Sequence, residues 1–160
     1  MPQAPVANDL SRRERIMEAI KVLFVDMLEG VDGYTVTWDR IRRAPIDSHD
    51  ATMRSSLAIL DTREIKNPDV HDLMRSTMRV IFEAKYRTMQ GDEPSTELNR
   101  LILDIQRKVR EDINLGGLTL NITEAGNEID IEGHADNIVT ATVFVDVLYR
   151  HVISDPRRGI

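Results

Sequence analysis

Three carboxylates, Glu128, Asp130 and Glu132, alternate with Ile129 and Ile131, a spacing that puts all three on one face of an extended strand. Grouped acidic oxygens are the donors that a hard divalent cation takes. Along a strand, however, same-face side chains stand about 7 Å apart and do not converge on one ion. The plainer reading is a half-buried strand with a solvated acidic face. A second group is Glu64-Ile65-Lys66, with Asp61 and Asp39 nearby in sequence. Acids on neighbouring strands with a Glu-x-Lys resemble a metal-dependent nuclease centre, in which carboxylates bind magnesium and lysine steadies the attacked phosphate. Such triplets are frequent by chance. His49, His71, His134 and His151 form no i, i+4 pair and have no cysteine beside them, so they read as surface or loop residues. No Gly-x-Ser-x-Gly elbow and no glycine-rich phosphate cradle occur. Arg40, Arg42 and Arg43 form a basic patch, read either as a solvated loop or as a contact to an acidic partner surface. No catalytic residue, cofactor or metal site is expected, and the chain does not read as an enzyme.

The bulk properties narrow the classes further. A chain of 160 residues with net charge −6 and a sequence pI near 5.2 is a poor general binder of nucleic-acid phosphates. The absence of cysteine removes disulfides, thiolate chemistry and cysteine-based zinc sites together. Residues 1–9 lack the order of a secretory signal, and no apolar run approaches the roughly 20 residues of a membrane span. The expectation is a soluble protein with no membrane partner. Residues 1–10 read as a loose tail, 11–155 as one domain and 156–160 as a C-terminal tail.

Ser11 and Glu14 form a capping box that opens a helix. Its apolar stripe is Ile16, Ile20, Leu23 and Met27, widened by Met17, Phe24 and Leu28 and stopped by Gly30 and Gly33. Alternation predicts strands at 34–38, 56–65 and 74–87, with 39–50 as an exposed loop. In the third strand Met74, Met78, Val80, Phe82, Ala84 and Tyr86 share one face, and Arg75, Arg79, Glu83, Lys85 and Arg87 the other. Leu98, Leu101, Ile102, Ile105 and Val109 follow helical spacing, with Pro94 tolerated at the start and Gly116-Gly117 as the break. Strands at 118–122 and 128–132 are expected to form a hairpin around Ala125-Gly126-Asn127. The longest alternating stretch is NIVTATVFVDVLYR, residues 137–150, read as a central strand whose far end overhangs the domain and is closed by Asp155-Pro156. The order α-β-β-β-α-β-β-β argues for an α+β domain with a largely antiparallel or mixed sheet and two main helices packed on it.

These pieces taken together resemble a known family. SLAILDTREI (56–65), MRVIFEAKYR (78–87), LNRLILDIQRKV (98–109) and VFVDVLYRHVISDP (143–156) follow the element order of the tail terminator, or tail completion, proteins of long-tailed bacteriophages. The resemblance is most specific at Val147, Tyr149, Arg150, Asp155 and Pro156. It implies a homo-hexameric ring on the head-proximal end of the tail tube, which ends tube polymerisation and joins the neck or connector proteins, with DNA passing through unbound. It implies a virion protein assembled in the host cytoplasm. On that reading Arg40, Arg42, Arg43, Arg75, Arg79, Arg150, Arg157 and Arg158 are interface candidates, and Glu128, Asp130 and Glu132 line the channel. The alternatives are another head–tail connector, neck or adaptor protein and, behind it, the nuclease-like enzyme.

Overall fold

The computed structural model describes residues 10–46, 52–131 and 137–159. The chain runs α1 (Arg12–Val25), β1 (Arg40–Arg42), β2 (Ser55–Pro68), β3 (Leu73–Arg87), α2 (Pro94–Glu111), a 3-10 turn (Leu115–Gly117), β4 (Asn121–Asp130) and β5 (Ile138–Val152). The five strands form one mixed sheet in the order β1-β2-β3-β5-β4. Only β1 and β2 pair in parallel; the other neighbours are antiparallel. This is an α+β domain.

The β3–β5 pair is the spine. Its register runs without interruption from Leu73 opposite Val152 to Arg87 opposite Ile138, 15 residues on each strand. Strict alternation then sorts the side chains. Val139, Ala141, Val143, Val145, Val147 and Tyr149 are buried on one face of β5, beside Met78, Val80, Phe82 and Ala84 of β3. Both helices cover that face. Ile16, Met17, Ile20 and Phe24 come from α1, and Leu98, Leu101, Ile105 and Val109 from α2. Phe24 meets Phe82 with ring centroids 5.1 Å apart and a tilted geometry, so this pair joins α1 to the centre of the sheet.

Among the described residues the opposite face carries no helix. Ile81 lies across from Phe144, Arg79 from Asp146 and Glu83 from Thr142, and all six are half-buried. The turn after β1 reaches over part of this face. Lys85 donates to the Ile46 carbonyl, Ile46 is buried, and Ser56 and Ala58 beneath it are sealed off.

Four expectations about the strands need correction. Residues 34–38 do alternate, with Tyr34, Val36 and Trp38 buried, but they join no ladder. They lie along α2 instead, where Thr35 donates both its backbone N–H and its hydroxyl to Asp104 Oδ2, each at 2.7 Å. A side-chain carboxylate replaces the neighbouring strand. The third strand of the first group is instead β1, inside the segment read as a loop. In place of the hairpin expected over 118–132, residues 121–130 form a single strand, β4, because Ala125-Gly126 makes a bulge against β5 rather than a turn. Gly126 sits at φ 137°, a conformation that favours glycine. Finally, β5 does not overhang. Tyr149 and His151, near its end, are both buried.

α1 begins as expected, with Ser11 Oγ accepting from the Glu14 N–H, but it ends at Val25, five residues before Gly30. The Met27 N–H turns back onto the Phe24 carbonyl, which buries Met27 and leaves Leu28 50% exposed. Residues after β5 fold back in a turn. The Val152 N–H donates to the Arg158 carbonyl at 2.8 Å, and the Arg12 N–H donates to the Pro156 carbonyl at 3.0 Å.

Phe82→Ala would remove a fully buried ring and its partner for Phe24. A loss of about 3–5 kcal/mol in urea unfolding is expected, against less than about 1 kcal/mol for Leu28→Ala on the surface.

Candidate interaction surface

The interface candidates divide by what each side chain already holds. Arg43, only 19% exposed, pairs with Glu14 and Glu18 of α1 and approaches Asp61 of β2 at 3.7 Å. The hydrogen bonds it donates to Glu14 and Glu18 outweigh burial and raise its pKa further. It is a tie between β1, β2 and α1. Arg79 makes a two-pronged pair with Asp146, 2.8 and 2.9 Å, across the open face. Arg75 and Arg150 share Asp69, at 3.2 and 2.6 Å. Burial alone would raise the Asp69 carboxyl; the Val70 N–H and these two arginines hold it below its ordinary value. Arg157 pairs with Asp155 in the C-terminal turn.

Arg40, Arg42 and Arg158 make no ion pair among the described residues. Alternation on β1 turns Arg40 and Arg42 to the face opposite Ile41, which packs on the core. The structure therefore separates the basic loop: Arg43 fastens the fold, whereas Arg40 and Arg42 remain available at the sheet edge.

Of the acidic group, Glu128 and Asp130 are exposed on β4, the opposite edge strand, while Glu132 lies outside the described residues. Register with Thr142 and Thr140 turns both to the uncovered face. Glu124, one step back, is held by Arg110 at 2.8 Å and Gln106 at 3.1 Å. No group of three His, Asp or Glu able to hold a metal occurs among the described residues.

The Glu64-x-Lys66 pair comes together differently from a nuclease centre. Glu64, 11% exposed, accepts from the Tyr149 hydroxyl, lies 3.1 Å from Lys66 and 3.7 Å from Arg13. Burial pushes the carboxyl up, but Tyr149, Lys66 and Arg13 together outweigh it and hold it below the ordinary 4.5. Asp61 faces Arg13 at 2.7 Å rather than Glu64. Asp39 accepts from the Arg54 and Ser55 N–H groups at 2.7 and 2.9 Å. These acids are satisfied by backbone and side-chain donors, as structural acids are. His151 is buried beside Tyr149, with its ring nitrogen 3.0 Å from the Val152 carbonyl, whereas His71 stands in an exposed turn; His49 and His134 lie outside the described residues.

Sequence reasoning missed a site at the end of β5. Arg12, Arg15, Arg157 and Arg158 line an open groove of about 540 Å³ with Asp155 and Gly159. Arg12 is only 8% exposed and donates to the Gly117 and Leu118 carbonyls at 2.6 and 3.0 Å. These bonds tie α1 to the 3-10 turn. Gly159 lies against its guanidinium, where a Cβ would come within 2.3 Å. The paired arginines 12–13 and 157–158 are the only signal in the sequence, and nothing in it brings them together.

No protein-family model matches this chain, and no curated protein is similar enough to match. No helix among the described residues is long and apolar enough to cross a membrane.

Arg43→Ala should lower stability by about 1–3 kcal/mol, since three carboxylates lose their shared cation. Arg42→Ala should change it by less than about 0.5 kcal/mol. Urea melts of both check this. For Glu64 the folded pKa is depressed, so its contribution is present above about pH 4.5 and fades as pH falls through the folded value. Glu64→Gln should therefore cost about 1–2 kcal/mol at pH 7, a difference that shrinks as pH is lowered below 4.5 through the depressed folded value. A difference that stays constant with pH would remove the ionic account.

Proposed function

We propose that this chain is a structural subunit of a homo-hexameric ring that caps the head-proximal end of a phage tail tube. In that place it ends tube polymerisation and presents a surface to the neck or connector proteins, while DNA passes through the ring. The single observation that supports this reading most is the division of the sheet. Both helices pack on one face of a long β3–β5 ladder, while most of the other face stays uncovered. That uncovered face has one apolar pair at its centre, Ile81 and Phe144, ringed by charges that are mostly matched within the chain. A half-apolar, rigid, pre-paired face suits packing against another protein better than holding a small substrate, because few side chains must be ordered on contact. The four segments that carry the resemblance form β2, β3, α2 and β5 in that order.

On this reading Arg40, Arg42 and Arg158 are the arginines of the original group left to meet partners. The virion is the site of action and the tube protein a partner. The Glu64–Lys66 pair favours a structural role over the nuclease-like one, because the carboxylate is already surrounded by Tyr149, Lys66 and Arg13.

Purified protein mixed with polymerising tail tube should yield tubes of arrested length with density at one end in negative-stain images. Light scattering should give the mass of a six-membered ring, for the free protein or for the material released from tubes. A monomer that leaves tube growth unchanged would sink the reading.

A further inference from the structure

We propose that the arginine groove at the end of β5 receives the acidic edge strand β4 of a second copy of this chain. The inference rests on the ring reading and names the two surfaces that would close it. The groove holds four arginines and one aspartate, a local balance of +3 in a protein whose net charge is −6. Arg157 is matched by Asp155. Arg12, Arg15 and Arg158 make no ion pair among the described residues. Arg12 is the informative one, because a guanidinium this deeply buried normally faces a carboxylate, and here it faces two carbonyls. Burial, with the charge of Arg15, pushes its pKa down. An anion entering the groove would relieve both effects.

The complementary surface is on the same chain. No lysine or arginine occurs between Arg110 and Arg150, so β4 has no basic residue of its own. Glu124 is matched by Arg110, but Glu128 is exposed and makes no ion pair among the described residues, with Asp130 exposed beside it. β4 is also an outer strand of the sheet, with one side of its backbone facing no neighbouring strand. Its acidic charge opposes pairing with another β4 and favours a basic partner.

Within one subunit the two surfaces do not meet. Asp130 is opposite Thr140 near the start of β5, and the groove follows Val152. Twelve strand residues separate those levels, about 40 Å at ~3.3 Å per residue. Contact between two different patches of identical chains is head-to-tail, and such contacts generate a ring when the rotation closes. Nucleic acid fits less well, because three unmatched arginines on a protein of net −6 give few phosphate contacts against a repulsive whole. Glu128 and Asp130 then face a neighbour rather than the channel.

Charge exchange tests this. Sedimentation velocity over a concentration series would compare the wild type, Arg15→Glu with Arg158→Glu, Glu128→Arg with Asp130→Arg, and the chain carrying all four changes. Arg12 is left alone because it ties α1 to the 3-10 turn. Each reversed pair should weaken association by at least about tenfold, and the fourfold variant should recover most of it. Raised salt should weaken the wild type as well. Arg15→Gln with Arg158→Gln serves as the milder variant, and thermal melts identify any variant that does not fold. A ring that survives both reversals, or a fourfold variant that does not recover, overturns the groove–strand pairing and leaves the ring reading standing. A wild type that stays monomeric even on tail tube overturns both. Binding of a short DNA duplex that is lost in the arginine variants, with association unchanged, assigns the groove to nucleic acid and overturns the pairing.

Discussion

The continuous β3–β5 ladder is the constraint on which the rest of the molecule depends. Fifteen residues paired without a bulge leave no freedom of register, because a slip of one residue would exchange every buried side chain for a half-exposed one. The apolar face so defined, from Val139 to Tyr149, decides where α1 and α2 must lie. Irregularity is confined to the flanks. β2 has a shift in register between Asp61 and Glu64, and β4 between Glu124 and Gly126. The first shift puts Glu64 opposite Met78, on the helix side of the sheet, where its carboxylate reaches the Tyr149 hydroxyl.

The same ladder separates two uses of charge. Within the body, acids and arginines hold elements together: Arg43 joins β1 to α1, Arg79 crosses from β3 to β5, and Asp69 gathers Arg75 and Arg150. At the extremities several make no ion pair among the described residues: Arg40 and Arg42 on one edge, Glu128 on the other, and Arg12, Arg15 and Arg158 around the end of β5. An acidic protein that keeps these arginines apart from its acidic edge strand would be electrostatically complementary to a second copy of itself. Complementarity of this kind orients partners and speeds encounter more than it adds affinity, so the uncovered apolar centre at Ile81 and Phe144 would supply the tighter contact.

Long periodic segments were legible in the sequence because burial follows directly from spacing. The stripe of α2 and the alternation of β3 and β5 appear in the structure almost to the residue. Shorter pieces were not, because their partners are distant in the chain. Tyr34 to Trp38 carries a sound strand pattern, yet Asp104, 69 residues from Thr35, occupies the place of a neighbouring strand. Arg40–Arg42 is a strand only because β2 runs beside it in parallel, which no local pattern announces. Ala125-Gly126-Asn127 has turn composition, and only pairing with β5 on both sides makes it a bulge. The candidate site divides similarly. The arginine-rich loop was visible, but the roles of Arg43 and Arg42 were separable only once α1 was in place. The groove was invisible because it joins residues 12 and 15 to 155–159.

Hydrogen exchange read by mass spectrometry, on the free protein at low concentration and on protein seated at tube ends, tests the central claim of a head-to-tail assembly most directly. Added protection is predicted in two separate places, along 121–130 and across 152–158, with the centre of β3 and β5 already protected in both states. Protection unchanged at both places, or confined to surfaces away from them, would contradict the account.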